Sequence, residues 1–535
     1  MTKIAIKPDT YQYPDLIAKI EQGLVKIPAF QRDFVWPMDK TLFLLDSICR
    51  RYPIGTLLFW QSSDFINALR NIGNLDLDDP PAGYPVQYVL DGQQRITSLY
   101  AALKAAQVNG QAYRICVDLD STPETEEVFF SREPDGERNV LLSELLGSDY
   151  GDLYVGLTSP RRKRFDEIRT TFLNYPFSIT LVEGGDLDIV CDLFERINNT
   201  GVELSVFDLL VARTWSPPSD SGGFDLRKAF DELTDEFEDV GFDDIPEPII
   251  AQLAGALIKE DCTRKAILTI GRQEMRETWP NLVDSMRGAI DFVRKKIRVT
   301  ASRLLPYPSL LVPLSYFYFK NGMRNPDGFQ SAWLTRYFYL NGFSNRLSSA
   351  TQSKLTEDIR VIDELIAGRT DKFDVPVAVT PQDIRDTGLR LGNAYCKSIL
   401  CLLSAQRPLD LRDASEIILQ NRALKRANSR HFHHLFPQAY MRGKPGAEEV
   451  NSIVNIAIVP EDLNIKIGAK APSTYLALYK SENSAWDQTL TSHVITGDAR
   501  TALEGDGFLL FLENRAALLS KLATKAIEAP KREGE

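Results

Sequence analysis

Three of the four histidines of this chain fall in one short run, His431-Phe432-His433-His434-Leu435-Phe436-Pro437; the fourth is His493. A chain so poor in imidazole has gathered most of its neutral-pH proton-transfer and metal-binding capacity at one point. Downstream lie Ser452-Ile453-Val454-Asn455-Ile456-Ala457-Ile458-Val459 and Glu461-Asp462-Leu463-Asn464-Ile465-Lys466. An imidazole can take a proton from water, and a divalent cation can offset charge on a phosphate and its leaving oxygen, so together they can hydrolyse a phosphodiester. The bland alternative is a partly buried histidine cluster or an adventitious zinc site. Structural zinc is disfavoured: the nearest cysteine, Cys401, is far upstream, and Cys-rich tetrahedral spacing is absent.

To act together these residues need a short strand for the histidines, a second strand or loop for Asn455, and a short helix or turn for Asn464. Neighbouring side chains on a strand face opposite ways, so convergence of His433 and His434 on one spot requires a bend. The ordered series resembles an HNH (ββα-metal) nuclease site. The resemblance implies that His434 is the base and His433 a metal ligand, where that family usually has Asp or His. It makes Asn455 the amide that holds the base-bearing loop, makes Asn464 the distal metal ligand and sets Lys466 near a phosphate. The imidazole of His434 and the amide of Asn464 are expected to converge on one cation. Mg²⁺ is the expected ion, with Mn²⁺ an alternative, because hard cations prefer oxygen to the imidazole of His433.

A second stretch with chemistry is Val86-Gln87-Tyr88-Val89-Leu90-Asp91-Gly92-Gln93-Gln94-Arg95-Ile96-Thr97-Ser98-Leu99. Val86, Tyr88 and Leu90 alternate as in a strand, and Ile96, Leu99, Tyr100 and Leu103 have helical spacing. Asp91-Gly92 is therefore a strand-to-helix turn. A helix N-terminus presents free N–H groups to an anion, and Arg95 could hold a phosphate bidentately. A competing explanation needs no ligand: Asp91 as N-cap with Gln94 at N3, a variant capping box. No GxxxxGK[ST] run is present, so any nucleotide site is not a P-loop.

Three motifs occur in order: Ile27-Pro28 with Gln31-Arg32 and Trp36; Asp91-Gly92-Gln93-Gln94-Arg95; and Phe194-Glu195-Arg196-Ile197-Asn198-Asn199-Thr200-Gly201-Val202-Glu203-Leu204-Ser205. Together they resemble the ParB-like N-terminal domain of GmrSD-type proteins, whose C-terminal part is an HNH domain. The resemblance implies a nucleoside triphosphate bound or hydrolysed at Asp91, Gly92, Gln93, Gln94 and Arg95, with Asp91 catalytic and Gln31 and Arg32 lining the site. Phe194 to Leu204 would close that pocket, unless it is an ordinary turn.

Composition bounds the rest. At 535 residues, with 44% hydrophobic and 25% charged residues, the chain suits a soluble globular protein of about three or four domains. Six cysteines without a CxxC pattern suit a reducing compartment. With no apolar leader and no membrane-length apolar run, the expectation is a cytoplasmic protein without a membrane partner. The net charge of −11 does not by itself favour nucleic acid, so local charge decides. Arg422, Lys425, Arg426, Arg430, Arg442 and Lys444 surround the histidines without an acidic residue between Asn421 and Gly446. Arg161-Arg162-Lys163-Arg164 and Arg294-Lys295-Lys296-Ile297-Arg298 read as solvated faces.

Pro217-Pro218-Ser219-Asp220-Ser221-Gly222-Gly223 is the clearest boundary. After it come helical patterns at 224–238, 248–258 and 281–299, and an aromatic-rich stretch at 307–343 that reads as core rather than as a base-stacking platform. The tail after Leu522 is charged and is expected to fray. The expected fold is α+β and multidomain: a ParB-like α/β domain (1–215), a helical middle (216–405) and a ββα-metal domain with surrounding helices (406–535). The function implied is a type IV-like, modification-dependent DNA endonuclease in phage defence, with a nucleoside triphosphate gating metal-dependent cleavage or nicking. Its partners would be modified phage DNA and the nucleotide, and a homodimer is compatible with the reading. Two alternatives stand beside it: a phosphorothioate-DNA-sensing NTPase or nickase, and a nucleotide-regulated DNA-binding protein with a vestigial nuclease site.

Overall fold

The computed structural model describes residues 4–28, 34–62, 69–70, 72–75, 77–78, 80–81, 83–121, 128–131, 138–184, 193, 205–215, 223–369, 373–418 and 432–530. Gln31, Arg32, Phe194–Leu204, His431 and most of the basic run before it lie outside the described residues. The chain forms two compact units, Met1–Asp225 and Leu226–Glu535. The first ends a few residues beyond the Pro/Ser/Gly run. The segments 226–405 and 406–535 lie together in the second.

The first unit is built on a mixed six-stranded sheet. Its strands are β1 (Ala5–Gln12), β2 (Val25–Pro28), β3 (Leu57–Ser62), β4 (Leu69–Arg70), β5 (Val86–Asp91) and β6 (Pro176–Glu183), in the order β1-β6-β3-β5-β2-β4. β6 runs parallel to β3, whereas β3 and β5 are antiparallel. The two-residue period sorts β3 cleanly. Leu57 and Phe59 enter the larger core; Leu58 and Trp60 join Tyr88, Leu90 and Val182 on the other face. Helices α1 (Tyr13–Glu21), α2 (Met38–Cys49), α3 (Gln93–Lys104) and α4 (Ser159–Leu173) supply Leu16, Ile20, Leu45, Ile48, Ile96, Leu99, Phe165 and Phe172 to the larger core. α2 and α3 are also joined inside by the Thr41 hydroxyl, which donates to Ser98 Oγ at 3.0 Å.

The second unit is mainly helical, so the architecture as a whole is α+β. Tyr316, Phe317, Tyr337 and Phe338 are all buried, as core residues rather than exposed platforms. One expected helix begins earlier than 281. It spans Arg272–Phe292 and carries Pro280 inside, because Glu274 accepts the Gly271 N–H at 2.7 Å and caps the added turns. The tail also differs from expectation. A helix runs on through Ile527, since Leu519 and Ala523 are buried and hold its last turns to the core.

Candidate functional site

In the first unit, β5 ends at Asp91 and α3 begins at Gln93. Gly92 between them has φ +96°, and a Cβ there would lie 2.3 Å from Leu57 Cδ2. Only glycine meets both conditions. The capping-box explanation of Asp91 and Gln94 fails. Gly92 is the N-cap, and no side chain caps it. Gln94 Oε1 instead accepts the backbone N–H groups of Val35 at 2.9 Å and Trp36 at 3.1 Å. Asp91 and Arg95 form an ion pair at 2.7 Å, and Arg95 Nη1 donates to the Ile54 carbonyl at 2.8 Å. The motif thus ties the segment 34–36, the approach to β3 and the start of α3 into one knot. In this state the Arg95 guanidinium is engaged by protein groups.

In the second unit, the histidine run forms β7 (Phe432–His434), paired antiparallel with β8 (Ile456–Ile458) in the register Phe432↔Ile458, His433↔Ala457 and His434↔Ile456. A 3₁₀ turn, Ile453–Asn455, leads into β8, and α5 (Glu461–Ile467) follows it. The order is strand, strand, helix. Leu463 and Ile467 are buried and fix the rotation of α5, which brings Asn464 toward β7.

Strand alternation separates the two histidines. His433 points inward and is 2% exposed. Its Nδ1 lies 2.7 Å from Asn464 Oδ1. An amide oxygen only accepts, so Nδ1 carries the proton and Nε2 the lone pair. Nε2 is buried and has no hydrogen-bond partner among the described residues. The ring also meets Tyr475 edge-on, centroids 5.9 Å apart. Burial presses the His433 pKa down to about 4, against the opposing pull of the Asn464 contact. The side chain is therefore neutral at physiological pH, as a metal ligand must be.

His434 takes the other face. Its Nε2 is 3.2 Å from Asn451 Oδ1 and 3.3 Å from the Gln438 side-chain nitrogen. With Asn451 as acceptor, Nε2 carries the proton, makes no hydrogen bond with the Gln438 amide nitrogen, which is itself a donor, and leaves Nδ1 with a lone pair. Burial lowers this pKa as well, and the Asn451 contact opposes the shift. The residue that meets Asn464 is thus His433, while His434 is set by Asn451.

Asn455 is fully buried and clasps the turn that follows His434. Its Oδ1 accepts the Phe436 N–H at 2.8 Å, and its Nδ2 donates to the carbonyls of Phe436 at 3.0 Å and Val450 at 2.9 Å. The Tyr475 hydroxyl donates to the Leu435 carbonyl at 2.7 Å. Beneath, Arg515 of α6 (Phe508–Ile527) is buried and donates to the carbonyls of Val454, Ile456 and His493. Sequence reasoning missed Asn451, Gln438, Tyr475 and Arg515, which stand alone in stretches without pattern. Lys466 is exposed, 3.7 Å from Asp462, which itself pairs with Arg412.

No group of three or more His, Cys, Asp or Glu side chains able to hold a metal occurs among the described residues. What His433 and Asn464 offer is one nitrogen and one oxygen. The two ring nitrogens of an imidazole diverge, so an ion shared with Asn464 Oδ1 would be met by Nδ1 rather than by Nε2. Such a pair fits a divalent cation that keeps most of its shell as water or phosphate oxygen. Without a carboxylate, the donor set suits a borderline ion such as Mn²⁺ better than Mg²⁺.

Residues 13–215 match the family described as the N-terminal domain of the GmrSD restriction endonuclease. The first unit is thus similar to a restriction-enzyme domain, and the match embraces the Asp91–Arg95 knot. Over nearly its whole length the chain is also similar to the uncharacterized protein MJ0686 of Methanocaldococcus jannaschii. The two are 25% identical over 534 residues, which cover 88% of this chain and 86% of that protein. No helix is long and apolar enough to cross a membrane among the described residues.

Proposed function

We propose that the chain is a modification-dependent restriction endonuclease of the GmrSD type. In this reading it cuts or nicks modified DNA at the His433–His434–Asn464 site, and a nucleoside triphosphate at the Asp91–Arg95 site gates that cleavage. The observation that carries the reading is the match of residues 13–215 to a restriction endonuclease domain. The contact of His433 with Asn464 and the clasp of Asn455 on the 435–436 turn support the nuclease half.

The chemistry assigned to the residues is direct. His434, oriented by Asn451, takes a proton from water at Nδ1. The resulting hydroxide attacks phosphorus, the P–O ester bond breaks, and the departing oxygen takes a proton from solvent. His433 Nδ1 and Asn464 Oδ1 would hold the divalent cation, for which the His433 proton would have to move from Nδ1 to Nε2, the neutral ring changing tautomer. When bound, that cation offsets charge on the phosphate and the leaving oxygen. Asn455 keeps the His434 turn in register. In the first unit a triphosphate would compete with Asp91 for Arg95, loosening the knot of Arg95, Asp91 and Ile54.

The test is a cleavage assay on glucosylated, phosphorothioate and plain DNA, with and without each nucleotide and with Mg²⁺ or Mn²⁺. The reading expects cleavage of one modified substrate only, with a nucleotide requirement. Equal cutting of all three DNAs would remove the modification dependence. No cutting under any condition would favour a second reading, a nucleotide-regulated DNA-binding protein with a vestigial nuclease site. The specific observation on that side is that no group of three or more His, Cys, Asp or Glu side chains able to hold a metal occurs among the described residues.

A further inference from the structure

A groove beside α4 belongs to neither candidate site. Two adjoining depressions of about 430 and 730 Å³ share Arg51, Thr170 and Thr171 in their walls. The larger is lined as well by Arg162, Lys163 and Arg164. Its two carboxylates already have partners: Asp166 accepts the Tyr154 hydroxyl at 2.7 Å, and Glu167 pairs with Arg164 at 3.4 Å. Arg162 donates to the backbone carbonyls of Tyr154 and Val155 and lies over the Tyr154 ring. Those partners fix its direction without neutralising its charge. Arg51 and Lys163 are exposed and have no ion pair or side-chain hydrogen bond among the described residues. Arg51, Arg162, Lys163 and Arg164 thus face two carboxylates, Asp166 and Glu167, which leaves an excess of two positive charges along the groove.

Two further observations mark the arrangement as costly to the folded chain alone. Arg51 sits just past the end of α2 with φ 58°, a left-handed conformation that a non-glycine residue seldom adopts. Arg162 and Lys163 lie near the start of α4, whose first turn has no acidic residue and whose N-cap Thr158 makes no side-chain bond. The helix dipole disfavours cations at that end and favours an anion. A solvated face gains nothing from this placement. A polyanion spanning both depressions does.

We propose that the α4 groove binds the sugar-phosphate backbone of DNA, with Arg51, Arg162 and Lys163 on successive phosphates. The proposal rests on the reading of the chain as one that acts on DNA. Against a net charge of −11, a local concentration of unpaired cations is what would let a polyanion dock. This assignment replaces the solvated face that the sequence suggests for residues 161–164.

The experiment measures binding of the full chain to a plain duplex by fluorescence anisotropy across a salt series. It compares wild type, Arg51→Glu with Lys163→Glu, the neutral pair Arg51→Gln with Lys163→Gln, and the charge-matched control Lys228→Glu with Lys265→Glu in the other unit. Thermal unfolding confirms that each variant is folded. Each phosphate contact contributes about 0.9 to the slope of log K against log salt. Loss of two contacts should lower the slope by about 1.8, so that the roughly tenfold share of the salt effect between 50 and 200 mM disappears. The neutral pair should show the same loss of slope, and the control should keep the wild-type slope. Wild-type affinity and slope in the Arg51/Lys163 variants would overturn the proposal, as would an equal loss in the control. A wild type that binds no DNA at any salt would sink the DNA reading itself.

Discussion

His433 Nδ1 and Asn464 Oδ1 lie 2.7 Å apart, and they join the strand that carries the histidines to the helix after β8. Because His433 is buried, the amide is its polar anchor as well as its expected partner at a cation. Asn464→Ala should therefore act twice. It leaves a buried N–H without that acceptor, at about 1–3 kcal/mol, and it removes one of the two proposed metal donors. Denaturant titration reads the first effect. Mn²⁺ binding by calorimetry reads the second, and binding should weaken by at least about tenfold.

Asn455→Ala should be the more damaging structural change. The side chain makes three hydrogen bonds from a fully buried position, two of them to Phe436. Their loss leaves buried backbone groups unpaired, at about 2–4 kcal/mol in all. Urea denaturation should show the loss, and any cleavage should fall with it as the turn after His434 slackens.

His493 links stability to pH. It is 2% exposed and donates to the Leu409 carbonyl at 2.8 Å. Burial, with Arg515 adding to it, presses its pKa down to about 4. The unfolded chain takes up a proton near pH 6.5, and the folded chain does so only near 4. Its contribution is thus complete above about pH 6.5 and is lost as pH falls toward 4, at most about 3 kcal/mol. His433 carries the same shift, so His493→Gln should make the stability–pH curve shallower between those values without flattening it. An unchanged curve would show that this ring is not what titrates.

Asp91→Ala should leave the sheet standing, since Asp91 closes β5 at its edge and Gly92 rather than Asp91 is the N-cap of α3. It releases Arg95 from its carboxylate partner. The expected outcome is a normal melting profile with nucleotide turnover abolished. An unfolded variant would mean that the Asp91–Arg95 pair is structural.

Local pattern made part of this molecule legible. Alternation at Val86, Tyr88 and Leu90 and helical spacing from Ile96 announced β5 and α3, and the histidine run announced a strand. The left-handed turn at Gly92 was harder to read, because Asp91 with Gln94 imitates a capping box while Gln94 reaches instead to residues 35 and 36. Long-range partners were silent. Asn451, Gln438 and Arg515 reach the site only through tertiary packing, and no periodicity in their own segments marks them. The pairing of Asn464 with His433 follows from strand alternation, which also sends His434 to the opposite face.

The proposed nuclease reaction turns on transfer of a proton from the attacking water to His434. Its most direct test is nicking of supercoiled modified DNA by wild type and by His434→Ala, with Mn²⁺ or Mg²⁺ and nucleotide, after calorimetry has shown that both proteins bind the ion. The variant should keep its fold and its ion affinity and lose about 10²–10⁴ in rate. A folded, ion-binding variant that nicks at the wild-type rate would contradict that proton transfer.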